Sequence, residues 1–180
     1  YIQVLHHDEY PSNSKTYNEI IKTLITTRYE VVVPRCHFIK KSKKILPHFQ
    51  QSYFPQRIIL LFPYLILAFN VFGSPSLFIY KNSQENYDPN LIYLVDVYFY
   101  FKKLKIPNQR VKLNLSSSVF LSDETFIGSI TNELNDKLEI IKLNEQKYIL
   151  SNLRINYFGK FIVNLVFYCR IFLDSLKKIK

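Results

Sequence analysis

The sequence has no methionine and no tryptophan, a single alanine (Ala68), and only three glycines, Gly73, Gly128 and Gly159, in 180 residues. Glycines so few and so far apart cannot form a G-x-G-x-x-G turn or a phosphate-cradling loop, which excludes nucleotide hydrolysis by the folds that depend on them. Cysteine is nearly as scarce. Cys36 and Cys169 are far apart with no CxxC pair, so neither a disulfide framework nor a zinc site is expected, and both thiols should be reduced and buried. Long apolar runs are missing too. Ile58–Phe72 is fifteen residues long and interrupted by Pro63 and Asn70. That falls short of the ~18 to 20 residues needed to cross a bilayer. Phe161–Leu173 contains Asn164 and Arg170. Both runs read as elements buried in protein, and membrane contact is not expected. No Arg-rich, Ser-rich stretch opens the chain, so an import signal is expected to have been removed or never needed.

What is present is a foldable, basic chain. Hydrophobic residues make up 48% and charged residues 21%, enough apolar content to bury a core and enough length for one domain with an extension or for two small domains. Fifteen Phe and fourteen Tyr, with abundant Ile, Asn and Lys, are the residues of AT-rich codons, and a protist organelle is a natural source. Lys and Arg number 24 against 14 Asp and Glu, a net charge of +10. Such a balance favours polyanionic partners through counterion release.

Along the chain, Tyr1–Leu5 alternates like a strand, followed by polar loop chemistry over His6–Asn13. Ser14 is a candidate N-cap for a helix carrying Tyr17, Ile20, Ile21, Leu24 and Ile25 at helical spacing, with Arg28 beyond its end. Tyr29–Val33 then reads as a buried strand stopped by Pro34. From Val31 to Gln84 there is no acidic residue, while Arg35, Lys40, Lys41, Lys43, Lys44, Arg57 and Lys81 are all cationic and Pro34, Pro47, Pro55, Pro63 and Pro75 interrupt the backbone. An extended, irregular basic arm is expected there. Strands are predicted at Leu77–Tyr80, Leu91–Phe101 and Arg110–Leu115, with a further one over Asn152–Phe158. Phe126, Ile130, Leu134, Leu138 and Ile141 predict an amphipathic helix, and Phe161, Leu165, Tyr168, Phe172 and Leu176 a C-terminal one. The segment from Asp123 to Glu145 holds six acids against Lys137 and Lys142, an acidic patch expected to face solvent or protein.

Nothing in the pattern points to catalysis. His6 and His7 beside Asp8 and Glu9 invite a metal or general-base reading, but sequence neighbours on a strand point to opposite faces, and no second cluster offers further ligands. A solvated loop is expected instead, with no metal, no cofactor and no small-molecule substrate. The basic arm is more informative: Arg35, His37, Lys40, Lys41, Lys43, Lys44, His48 and Arg57 are interleaved with Phe38, Phe49, Tyr53 and Phe54. Cations neutralise phosphates and aromatics stack on unpaired bases, so these eight residues are the candidate RNA contacts.

The first forty-odd residues resemble the universal small-subunit ribosomal protein ten family, S-ten, in its bacterial and mitochondrial form. Tyr1-Ile2-Gln3-Val4-Leu5 matches the family's opening strand, Asn18-Glu19-Ile20-Ile21-Lys22-Thr23-Leu24 its helix, Glu30-Val31-Val32-Val33-Pro34 the strand entering its loop, and Lys40-Lys41-Ser42-Lys43-Lys44 its basic loop tip. Val33 stands where the family has glycine. Beyond the tip two placements are open. Leu46-Pro47-His48 corresponds to the family's Ser-Pro-His, with Arg57–Leu61 as the last strand, or Leu77–Tyr80 is the returning strand and Tyr93-Leu94-Val95-Asp96-Val97 the closing Leu-Val-Asp segment. The second is preferred. The resemblance implies an α+β fold, a small ferredoxin-like open sheet with helices on one face and a basic extended arm. The S-ten-like domain would span 1–101, with its arm at about 34–75, followed by a lineage-specific α/β extension over 102–180. It further implies a non-enzymatic constituent of the mitochondrial small ribosomal subunit, in the head, bound to small-subunit rRNA and neighbouring ribosomal proteins. The competing expectation is an accessory subunit of an organellar respiratory membrane complex, held by Ile58–Phe72.

Replacing Lys40, Lys41, Lys43 and Lys44 together by Gln should weaken rRNA binding and reduce its salt slope by up to ~3 to 4 units, with folding little changed. Binding titrated against salt measures this, and an unchanged slope would place these lysines away from phosphate.

Overall fold

The computed structural model describes residues 1–4, 9–39, 45–47, 53–81, 86–106, 110–123, 137–153 and 155–178. It is a mixed α+β chain with an open sheet. The strands are β1 (Glu9–Pro11), β2 (Val31–Ile39), β3 (Ile45–Pro47), β4 (Ile79–Tyr80) and β5 (Val111–Asp123). The helices are α1 (Lys15–Thr26), α2 (Tyr53–Leu61), α3 (Val95–Leu104), α4 (Leu138–Asn152) and α5 (Tyr157–Lys178), with short 3-10 helices at Pro63–Leu67 and Pro75–Leu77. The chain divides into two compact units, each drawing on three segments: 1–61, 71–84 and 106–127 in the first, 62–70, 85–105 and 128–180 in the second.

The first unit is organised by β2. The sheet order is β1-β5-β2-β3, with β4 also paired to β2. β2 runs parallel to β5 and antiparallel to β3 and β4. Val31, Val32 and Val33 are all fully buried, which is why this stretch is continuously apolar rather than alternating. The strand does not stop at Pro34 as expected. β4 pairs with Val31 and Val32, and β3 pairs with residues from His37 to Ile39, so Pro34 falls between the two antiparallel blocks. On the other side the register slips: Val33 is opposite Leu113, Pro34 opposite Leu115 and Arg35 opposite Val119. Ser116, Ser117 and Ser118 are therefore left over in a bulge, where a missing N–H costs no ladder bond.

The predicted strand at Tyr1–Leu5 reduces to one bridge, Ile2 to Tyr80, in which each N–H donates to the other's carbonyl at 2.7 and 3.1 Å. Glu9–Pro11, expected as loop, pairs with β5 instead. α1 forms as the spacing predicts, but its start is set by Asn13, whose Oδ1 accepts the Lys15 N–H at 2.9 Å. Ser14 makes no side-chain cap. Ile20 packs into a core with Val32, Cys36, Leu77, Ile79 and Phe120, and Tyr17, Leu24 and Tyr29 close over it. The Tyr17 and Phe120 rings meet edge to face at 5.9 Å. Ile21 and Ile25 remain exposed, so the buried stripe is narrower than the sequence spacing indicates.

The described parts of the basic arm are regular elements rather than an irregular extension, and residues 40–44 and 48–52 lie outside the described residues. β2 and β3 form an antiparallel pair, and Arg57–Leu61, a strand in one family placement, belongs to helix α2. Of Leu77–Tyr80 only Ile79 and Tyr80 are strand, the residues before them forming a 3-10 turn. Gly73 sits at φ 77°, a conformation glycine adopts without strain, just before that turn.

In the second unit Leu91–Phe101, expected as strand, is instead a turn followed by α3. Val97, Phe99, Tyr100, Phe101, Lys103 and Leu104 are all buried, so the helix is covered around most of its circumference and its burial carries neither a clean helical stripe nor a strand alternation. Asn152–Phe158 is likewise not a strand: α4 ends at Asn152 and α5 begins at Tyr157. Asn156 caps α5, its Oδ1 accepting the Gly159 N–H at 2.8 Å. A Cβ on Gly159 would lie 2.5 Å from a methyl of Ile155, so the close approach demands glycine. α5 buries Val163 and Phe167 while Phe161, Leu165 and Tyr168, the stripe read from the sequence, are exposed. Of the helix predicted from Phe126, the positions Phe126, Ile130 and Leu134 lie outside the described residues, and Leu138 and Ile141 fall on α4.

Glu145 is not part of a solvated acidic face. It is 7% exposed, and its carboxylate accepts the N–H groups of Ile92 (2.6 Å), Tyr93 (3.1 Å) and Leu94 (2.7 Å), the turn that leads into α3. A charged acceptor shared by three consecutive donors holds that turn against α4. Nearby, Asp88 accepts the Asn90 N–H and amide at 2.9 and 3.0 Å and the Tyr148 hydroxyl at 3.2 Å, and these bonds, the backbone one foremost, hold its carboxyl below the usual range. Glu145→Ala should destabilise the second unit by about 2–4 kcal/mol, and Glu145→Gln by less, since the amide keeps one acceptor. Urea denaturation of the two variants checks the order.

Candidate nucleic-acid interface

Arg35 and His37 lie two residues apart on β2, on one face of the strand, with Arg35 exposed and His37 half-buried. Arg57 is exposed on α2. Lys40, Lys41, Lys43, Lys44 and His48 lie outside the described residues, as do His6, His7 and Asp8. Between Arg35 and His37, Cys36 points the other way into the core. Burial, and secondarily the negative charge of Glu9, pushes its thiol up to about 12 from an ordinary value near 9. Glu9 itself accepts a hydrogen bond from the Ser74 hydroxyl. Among the described residues no group of three or more His, Cys, Asp or Glu side chains is placed to hold a metal ion.

A second cationic group, which the sequence does not single out, forms where three strands end together. Lys81 follows β4, Glu30 precedes β2 and Arg110 precedes β5. The Lys81 N–H donates to the Glu30 carbonyl at 2.7 Å and the Glu30 N–H to the Arg110 carbonyl at 2.9 Å, so the sheet ladder continues through this row. Lys81 and Arg110 thus flank Glu30 on adjacent strands. Arg28, just past α1, joins them around an open cleft of about 390 Å³ that Tyr1 and Tyr29 also line. The Tyr1 hydroxyl donates to the Tyr29 carbonyl at 2.8 Å, which fixes its ring, and Lys112 Nζ stands 5.9 Å from the centre of the Tyr29 ring. None of Arg28, Glu30, Lys81 and Arg110 makes an ion pair with a described residue. The cleft presents three cations and one carboxylate to solvent, an arrangement that attracts a phosphate without neutralising itself first.

No sequence signal marks these residues as a group. Arg28, Lys81 and Arg110 are isolated in the chain and each reads as the polar punctuation at the end of an element; only the β4-β2-β5 register brings them together. Comparison with protein-family models, curated proteins and solved structures finds no match.

The two thiols should separate cleanly. At pH 8 iodoacetamide should alkylate exposed Cys169 and leave Cys36 unmodified until the chain is unfolded, as read by mass spectrometry. Because the folded Cys36 pKa is raised, its contribution to stability is complete below about pH 9 and lost as pH climbs toward 12, so alkaline unfolding should ease in Cys36→Ala relative to its own neutral-pH stability less than in the parent chain.

Proposed function

We propose that this chain is a structural RNA-binding protein of the mitochondrial small ribosomal subunit, organelle-encoded and acting without chemistry. The observation that carries the reading is the cleft of Arg28, Lys81 and Arg110, unpaired with any described acid and lying in the same unit as Arg35, His37 and Arg57. That unit holds twelve Lys and Arg against six Asp and Glu, an excess suited to a phosphate backbone. Its first forty residues are those that resemble S-ten, which gives the ribosomal assignment and the expected position in the subunit head. Neighbouring ribosomal proteins are the partners this reading assigns to the second unit, where α5 exposes Phe158, Phe161, Leu165 and Tyr168.

The respiratory-complex alternative is disfavoured by where Ile58–Phe72 goes. Ile59, Ile66, Leu67, Ala68, Val71 and Phe72 are each buried within the protein, while Ile58, Leu61 and Phe62 stay exposed, so a large part of the run, though not all of it, is taken up by the protein's own core. Among the described residues no helix is long and apolar enough to cross a membrane. Purified chain should co-sediment with small-subunit rRNA at moderate salt and lose that association steeply as salt rises. Retention in a detergent-solubilised membrane fraction with no rRNA association would overturn the assignment.

A further inference from the structure

Resting on the RNA-binding reading, we infer that the cleft at the end of β4, β2 and β5 seats one unpaired nucleotide of an RNA strand, its phosphodiester held by Arg28, Lys81 and Arg110 and its base laid against Tyr1. Size argues for a single nucleotide. The cleft's volume of about 390 Å³ lies at the small end of the range for small-molecule sites, roughly 300–1,000 Å³, which suits one nucleotide rather than a length of duplex.

The lining divides into two chemistries. Leu24 and Ile25, the latter 79% exposed, form an apolar lip beside Tyr1, while the cations form the rest of the wall. Tyr1 is 54% exposed, yet its hydroxyl is tied to the Tyr29 carbonyl, so it offers a flat face that is already held in place. A fixed aromatic next to a cationic wall is the arrangement by which proteins hold unstacked bases, the ring taking the base and the cations its phosphate. Two of the cations, Lys81 and Arg110, are also fixed at their roots, since the Lys81-Glu30-Arg110 row is part of the hydrogen-bonded sheet.

Glu30 stands between Lys81 and Arg110 and lowers the positive charge of the site without reversing it, since three cations face one carboxylate. Charge alone therefore does not favour an internal phosphodiester over a terminal phosphate. The base and the strand supply the difference: a nucleotide lays a ring against Tyr1 while its phosphate meets the cations, and a strand adds neighbouring phosphates that a mononucleotide lacks, whereas inorganic phosphate and a phosphopeptide bring an anion and no base.

Binding of a fluorescein-labelled uridine tetranucleotide to the full chain, followed by anisotropy between 50 and 200 mM salt, tests this. The double variant Arg28→Gln/Arg110→Gln should bind more weakly, with a salt slope reduced by about 0.7 to 1.4, the release expected for one or two phosphates of a single strand. Tyr1→Leu should weaken binding at least about fivefold through lost stacking, and Tyr1→Phe, which keeps the ring but frees it from the Tyr29 carbonyl, should weaken it by less. Thermal melts of all variants confirm folding. Uridine monophosphate, inorganic phosphate and a phosphoserine peptide should compete only at concentrations at least tenfold higher than the oligomer. Parent-like binding by both Arg28→Gln/Arg110→Gln and Tyr1→Leu would overturn the inference, as would equal competition by phosphate or the phosphopeptide. If those variants bind the oligomer normally while the chain still co-sediments with rRNA, the cleft assignment falls and the RNA-binding reading stands. If the oligomer binds through the cleft but rRNA does not co-sediment, the cleft assignment stands and the ribosomal reading falls.

Discussion

The first unit depends on one strand hydrogen-bonding on both sides while carrying a proline. β2 is the only strand that touches β3, β4 and β5, and its Val31, Val32 and Val33 are buried on both faces, so the core and the sheet share the same few residues. A proline inside such a strand removes a donor that a regular ladder needs. Here the described antiparallel pairs lie on either side of Pro34, at Val31–Val32 and at His37–Ile39, and β5 slips past it with three serines. The first half of the strand is buried on both faces, whereas in the second half Cys36 still enters the core while Arg35 is exposed and His37 half-buried on the opposite face, so core formation and cation display share that half.

The same register creates the cleft. Residues just outside strand ends are where backbone pairing persists for one more step but side chains are released from the core. Lys81, Glu30 and Arg110 occupy those positions on three adjacent strands, and Arg28 arrives from the end of α1. Lys81 and Arg110, held by backbone bonds, and Arg28 beside them make no ion pair with a described residue and so keep their charge available, because partnering them with carboxylates would cancel the field that draws a phosphate. The fold therefore supplies positive charge at a rigid edge, not on a long side-chain fringe.

In the second unit the comparable constraint is the buried carboxylate of Glu145. Burying an acid is costly unless it is fully hydrogen-bonded, and three successive backbone donors satisfy it. The acid that composition assigned to a solvated patch instead fixes the entry of α3, with Tyr87 stacked on Phe99 at 4.5 Å and the Phe99 and Tyr100 rings 6.4 Å apart beside it.

The sequence by itself determined the α+β class, α1 through its apolar spacing, the presence of α5 though not its buried face, the core role of Val31–Val33, and the excess of positive charge in the acid-free stretch, since each of these is a property of neighbouring residues. It also implied that Cys36 and Cys169 are unpaired, and both are free thiols. It misjudged Leu91–Phe101 and Asn152–Phe158, where aromatic and β-branched residues favour strand locally but helix packing prevails. What only the tertiary structure decided is anything set by register: the passage of β2 through Pro34, the burial of Glu145 beneath a turn some fifty residues away, and the meeting of Arg28, Lys81 and Arg110. Strand pairing joins residues by hydrogen bonds that carry no trace in the chain's local pattern, so a site assembled from the ends of three strands becomes visible only once those strands are aligned.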